Sequence, residues 1–320
     1  MVEVAVDVRD SGLAAPGARR GSRLGRTPGC EGIRTLRRVG ILLHPTRNPG
    51  SALLAVSGWA ARHGIAVVAA ESELHRLPPG IEPVALEQLL DGVDLLLAAG
   101  GDGTALQAMR VAAPHDVPVL AINLGRLGYL ADVDASGLDA ALEAVTRGRY
   151  TMDVWSALEL RRGSSTPAMA FNDVVLRRAA GARPVAIALS IDGELLTRFS
   201  GDGLIVATAA GSTAYSFSAG GPIVSPAVAA KVVTPLAPHA TFNRPLVVSP
   251  DESVEIEVLA SSSTLSIEID GQEHGEAGPG DRLRIECSPL RGRRVHVGQV
   301  GFAERARSKL RITDSGELGA

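Results

Sequence analysis

Residues 95–113 read LLLAAGGDGTALQAMRVAA: pure hydrocarbon, then three glycines around Asp102, then an amphipathic pattern. A short apolar run stopped by glycine is the mark of a buried strand, and the apolar residues after Thr104 recur at helical spacing. Outward from this stretch the same texture repeats. RVGILLHP (38–45), GIAVVAA (64–70), VDLLLAAGG (93–101) and VPVLAINLG (117–125) are expected strands, while residues 51–63, 104–113 and 138–147 are expected helices. Strands that are apolar throughout and separated by helices predict a parallel, Rossmann-like sheet covered on both faces. In such sheets ligands bind where strands end and helices begin.

Past residue 150 the pattern becomes one of short alternating segments, among them WSALELRR (155–162), AMAFNDVVLRR (168–178), PVAIALSIDGELL (184–196) and LIVATAA (204–210). RPLVVSP (244–250), SVEIEVL (253–259), TLSIEID (264–270), DRLRIECS (281–288) and RRVHVGQV (293–300) continue it. Period-two alternation with Asp192-Gly193 and Asp270-Gly271 turns predicts an antiparallel, sandwich-like all-β domain. The expected organisation is a flexible Gly/Pro/Arg-rich tail (1–36), an α/β domain (37–150) and a β-rich domain (151–320) whose C-terminal end is a candidate to pack back on the first.

Composition narrows the function. Net charge is −3, so neither nucleic acid nor an anionic membrane is an expected partner. Cys30 and Cys287 are too few for a disulfide framework, and no apolar run approaches the roughly 20 residues of a membrane span. With no secretory signal either, the expected location is the cytoplasm. Lysine occurs only as Lys231 and Lys309, and no G-x-x-x-x-G-K-[ST] motif exists. Any nucleotide phosphate must therefore be held by backbone N–H groups, arginine or a metal ion. No His/Cys/carboxylate spacing typical of a metal site is evident, and His239, set among prolines, reads as an ordering residue.

Three stretches carry chemistry. Gly100, Gly101, Asp102, Gly103 and Thr104 lie at a strand end before a helix. Capping of that helix by Asp102 or Thr104 and presentation of Asp102 to a ligand are equal readings of the local pattern. SGDGLIVATAAGSTAYSFSAGGPIVSP (200–226) feeds a strand into small polar residues that bury little area, which suits a surface pressed against a ligand. Tyr215 there fits a stacking role and a core role equally. Asn172 and Asp173 in FNDVVL suit a ribose, because a carboxylate accepts from hydroxyls and an amide both donates and accepts. By themselves they read more simply as a turn.

The combination of Gly100-Gly-Asp-Gly-Thr104, NLGRLGYL (123–130), FNDVVL, DGLIVATAAGSTAYSFSAGGPI (202–223), TPLAPH (234–239) and RPLVV (244–248) resembles the NAD kinase family over roughly residues 37–312. The resemblance implies phosphorylation of the adenosine ribose 2′-hydroxyl of NAD to give NADP. ATP or polyphosphate would be the donor, a divalent cation (Mg²⁺ or Mn²⁺) would assist, and the enzyme would be a homodimer or homotetramer. It implies Asp102 as general base beside Gly103, and Asn172 and Asp173 on the ribose and adenine. Asp202 would lie near the nicotinamide, with Ala210, Thr213, Ala214, Tyr215, Ser216, Phe217 and Ser218 lining the dinucleotide. Arg183 and Gln272 would join the same NAD site. Two departures stand out. The family commonly has Thr-Pro-Thr where this chain has Thr208-Ala209-Ala210, and Ser200 stands where some members carry arginine. A lipid kinase sharing Gly-Gly-Asp-Gly-Thr and a non-catalytic NAD sensor are the alternatives.

Overall fold

A computed structural model of the protein describes residues 33, 35–125, 130, 131, 133–298, 301–310 and 312. The first half runs β1 (Arg38–Leu43), α1 (Gly50–His63), β2 (Ala66–Ala70), β3 (Glu82–Val84), β4 (Leu95–Gly100), α2 (Asp102–Ala112), β5 (Val119–Asn123), β6 (Val133–Asp134) and α3 (Leu138–Thr146). The second half runs β7 (Thr151–Arg162), β8 (Ala168–Ala170), β9 (Asp173–Arg178), β10 (Val185–Ile191), β11 (Glu194–Gly201) and β12 (Gly203–Thr208). A short helix α4 (Tyr215–Ser218) follows, then β13 (Lys231–Leu236), β14 (Leu246–Val248), β15 (Val254–Val258), β16 (Leu265–Ile269), β17 (Gln272–Ala277), β18 (Arg282–His296) and α5 (Phe302–Lys309).

The N-terminal half is the expected parallel sheet, in the order β3-β2-β1-β4-β5. Alternation along β4 assigns its two faces: Leu95, Leu97 and Ala99 pack with α1 and α3, whereas Leu96 and Ala98 pack with α2. Covering both faces removes every β4 side chain from water, which is why its sequence is continuously apolar. The connection through α1 leads away from β1 on one side, while β4 lies on the other. The carboxyl ends of β1 and β4 therefore frame a topological switch point.

In the second half, a six-stranded antiparallel sheet, β14-β13-β12-β9-β16-β17, faces strands of a twelve-stranded mixed sheet. Val174, Leu204 and Ile267 from the first meet Leu158, Ile187, Ile256 and Ile285 from the second in one apolar layer, the expected sandwich. The two halves share the large sheet, because β18 pairs antiparallel with β7 and β15 and reaches β5 in parallel at Arg294 and Val119.

Some elements differ from expectation. DRLRIECS and RRVHV belong to one strand, β18, whose register shifts between Cys287 and Arg291; the shift absorbs the residues around Pro289 that separate the two segments. AMAFNDVVLRR divides into β8 and β9 around Phe171 and Asn172. KVVTPL, unexpected as a strand, is the fully buried β13. At the N-terminus Ile33 and Leu36 pack on the core of the parallel sheet, and the rest of the expected tail up to residue 32, with Arg34, lies outside the described residues.

Candidate active site

The Gly100–Thr104 turn sits at the carboxyl end of β4. Among the described residues no side chain caps α2, whose N-cap is Gly101, so its N-terminal N–H groups and positive dipole end suit an anion. Thr104 is buried and folds back over Gly100, where a Cβ would come within 2.2 Å of its Oγ1. The Asp102 carboxylate, half-buried, accepts the N–H of Leu130 through Oδ1 at 2.9 Å. Gly103 is exposed, and a Cβ there would meet nothing within 4 Å. The turn thus presents an open face beside an oriented carboxylate. Arg126 to Tyr129 of NLGRLGYL lie outside the described residues.

Asn172 and Asp173 occupy a break in the sheet that one carboxylate organises. Asp270, at the hairpin between β16 and β17, accepts the N–H groups of Phe171 (3.1 Å), Asn172 (2.7 Å) and Asp173 (3.3 Å). Its side chain is wholly buried and is neutralised by Arg110 Nη1 at 2.6 Å. Arg110 Nη2 donates to Gln272 Oε1 at 3.1 Å. Arg110 lies two turns along α2 from Asp102, about 12 Å at helical rise. Helix α2 therefore ties the Gly-Asp-Gly turn to the Asn172–Asp173 cluster.

Asp173 is only 3% exposed, and its carboxylate accepts the backbone N–H of Tyr215. Burial, then the neighbouring Asp270 and Glu268 carboxylates, push its pKa up to about 7. The native state thus holds a proton that the unfolded chain releases near pH 4, so stability falls as pH rises from about 4 to 7 and levels off above. Asp173→Asn keeps the acceptor and adds a donor toward Asp270. It is expected to stabilise the protein by about 2–4 kcal/mol at pH 8, with the difference shrinking by about 1.4 kcal/mol per pH unit below 7. Urea unfolding at pH 5 and pH 8 checks this, and a pH-independent difference would refute the assignment.

The turn after β12 closes over the cluster. Thr208 donates its N–H to the Asn172 carbonyl (2.8 Å) and its hydroxyl to the Phe171 carbonyl (2.7 Å), and that hydroxyl accepts the Gly211 N–H (2.9 Å). Gly211 lies directly on the Asn172 backbone: a Cβ would be 2.0 Å from the Asn172 carbonyl oxygen. Ala209, buried, has φ −56° and ψ −41°. Ala210 and Ser216 point inward, Ser216 sharing a 2.9 Å hydrogen bond with Thr234. Thr213 and Ala214 are half-buried, whereas Tyr215, Phe217 and Ser218 are exposed, so Tyr215 is not a core residue.

The structure gathers Asn172, Asp173, Gln272 and the Ala210–Ser218 turn at one place and links them through α2 to Asp102 and Gly103. Asp202 and Arg183 lie elsewhere. Asp202 precedes β12, the opposite end from Thr208, and accepts from Arg178 Nε at 2.5 Å; Arg183 is exposed nearby on the loop before β10. Among the described residues, no cluster of three or more His, Cys, Asp or Glu is arranged to hold a metal ion. Sequence reading missed Asp270 as an organiser, since its Asp-Gly turn already accounted for it, and missed Arg110 altogether.

Residues 59–150 match the ATP-NAD kinase N-terminal domain and residues 171–297 the ATP-NAD kinase C-terminal domain. The chain is 36% identical to NAD kinase 1 of Streptomyces avermitilis, covering 88% of this chain and 89% of that one. It is 39% identical to the NAD kinase of Heliobacterium modesticaldum, covering 70% and 81%. Among solved structures it resembles yeast NADH kinase complexed with NADH (TM-score 0.81, 25% identity, 90% and 91% coverage). It also resembles an NAD kinase from Archaeoglobus fulgidus in complex with ATP (TM-score 0.65, 25% identity, 85% and 97% coverage). Two domain matches in order and relatives aligned over most of both chains establish that this chain belongs to the ATP-NAD kinase family.

Proposed function

We propose that this chain transfers a phosphoryl group from ATP or polyphosphate to the 2′-hydroxyl of the adenosine ribose of NAD, forming NADP, with Asp102 as the general base. One observation carries this reading. The open Gly-Asp-Gly turn and the ribose-suited Asn172–Asp173 cluster stand at two positions along a single helix, α2, the Arg110–Asp270 pair fixing the second. Phosphoryl transfer asks mainly for such alignment and for charge neutralisation. Holding an attacking hydroxyl in line is worth about 7–11 kcal/mol, against a base contribution of about 10²- to 10⁴-fold.

The residues fit a divalent cation that arrives with the donor. Asp102 places a negative charge beside the phosphates of the donor, and Mg²⁺ carried largely on phosphate oxygens would relieve that repulsion and leave the carboxylate to act as base. When bound, the cation would offset the donor's charge. In our reading residues 37–150 serve the donor and 151–320 the dinucleotide, with Asn172, Asp173, Gln272 and the Ala210–Ser218 turn at the ribose and adenine. Asp202 and Arg183 serve the nicotinamide end.

We also assign the enzyme to a homodimer or homotetramer. No helix among the described residues is long and apolar enough to cross a membrane, and we assign the enzyme to the cytoplasm. A lipid kinase and a non-catalytic sensor are not favoured, since both family models match in sequence order. The test is NADP formation by purified protein across ATP and polyphosphate, NAD and NADH, and Mg²⁺ and Mn²⁺. NADP or NADPH production is expected, and no product under any combination refutes the reading.

A further inference from the structure

The chain has two lysines, Lys231 and Lys309, and no phosphate-binding-loop lysine motif, and Lys231 is buried in β13. The structure brings an arginine to the Gly-Asp-Gly turn. Arg47 follows β1, and its guanidinium crosses the switch point to the neighbouring strand ends. Nη1 lies 3.4 Å from the carbonyl of Gly100, after β4 has ended its pairing with β1. It also lies 3.2 Å and 3.0 Å from where a Cβ would stand on Gly101 and on Gly125, the latter just past β5. Absent side chains on both glycines make the slot for the guanidinium.

The loop carrying Arg47 is held firmly, and the guanidinium is not. His44 Nδ1 accepts the N–H groups of Thr46 and Arg47, each at 3.2 Å. Arg76, paired with Glu73 at 2.7 Å, donates to the carbonyls of His44 (3.0 Å), Pro45 (3.3 Å) and Arg47. By contrast, the 3.4 Å contact to Gly100 is a long hydrogen bond. Among the described residues Arg47 makes no ion pair with a carboxylate, and the residue is exposed while its guanidinium rests over the two glycines. A fixed stem, an unneutralised planar cation and spare N–H donors suit ionised phosphate oxygens.

We propose that Arg47 grips the phosphate chain of the donor at the crevice between β1 and β4, supplying a cation there and neutralising charge as the phosphoryl group leaves. This rests on the kinase reading above. ATP and polyphosphate share the chemistry recognised, so both belong in the test.

The experiment compares the full-length wild type with Arg47→Ala and Arg47→Lys. It measures kcat, KM for each donor, calorimetric Kd for NAD, and thermal midpoint. Losing a charged hydrogen bond to phosphate is expected to raise KM for ATP and for polyphosphate at least about tenfold and to lower kcat in Arg47→Ala. NAD affinity should stay within about twofold and the midpoint should hold. Arg47→Lys is expected to recover part of the loss, as a point charge without the fork, and added methylguanidinium to rescue Arg47→Ala. Unchanged donor kinetics overturn the proposal. A parallel loss of NAD affinity and midpoint overturns it too, marking a structural role, and an effect confined to ATP rejects the phosphate chain as the contact. A wild type that makes no NADP refutes the kinase reading itself, whereas an active wild type with an indifferent Arg47→Ala refutes this inference alone.

Discussion

Asp102→Asn is expected to lower turnover at least about 100-fold while NAD affinity stays within about tenfold. The amide is nearly isosteric, and its oxygen can still accept the Leu130 N–H that orients the carboxylate at 2.9 Å. What disappears is the proton acceptor and its charge, so the loss should fall on kcat, in the range general bases contribute. Residual activity should stay above background, because the alignment supplied by the rest of the site persists. Steady-state NADP formation with calorimetric binding of NAD measures both quantities. Near-normal turnover would remove Asp102 from the base role.

Gly211→Ala is expected to damage fold and binding together. Its Cβ would stand 2.0, 2.4 and 2.5 Å from the oxygen, carbon and Cα of Asn172. All three are backbone atoms, so no flexible side chain end can yield. The turn must lift away, breaking the Thr208 N–H to Asn172 carbonyl bond and the Gly211 N–H to Thr208 hydroxyl bond. Such overpacking with lost buried hydrogen bonds costs about 2–4 kcal/mol, and displacing Asn172 and Tyr215 should weaken NAD binding about 100-fold. Thermal unfolding and calorimetry on one preparation test this, with Gly103→Ala as the contrast, where open space lets the fold stand. A normal midpoint with normal NAD affinity would contradict the geometry.

The parallel sheet was legible because burial on both faces leaves strands with almost no polar residue, as in β4. β13 was not, since Lys231 and Pro235 break the apolar pattern. The structure accommodates Lys231 by directing Nζ to the Pro250 carbonyl at 2.8 Å, a partner 19 residues away. The site divides along the same line. Asp102, Asn172 and Asp173 stand in short motifs that became candidates only in combination, since locally a cap or a turn explained them as well or better. Asp270 and Arg110 are separated by 160 residues, and neither lies in a run that marks it. Their roles exist only once the β16–β17 hairpin lies against α2. Arg47 was hidden for a related reason, since its meaning depends on β1 and β4 being neighbours.

Ala209, where relatives commonly carry proline, already holds a φ of −56°, inside the range a pyrrolidine ring imposes. Losing the ring therefore leaves the native turn unaltered. Its effect falls on the denatured ensemble, in which Ala209 samples conformations that proline would forbid, a difference of about 0.4–1 kcal/mol. The departure at this position thus belongs to the entropy of the disordered chain, and the shape of the turn proposed to meet the dinucleotide is the same with either residue.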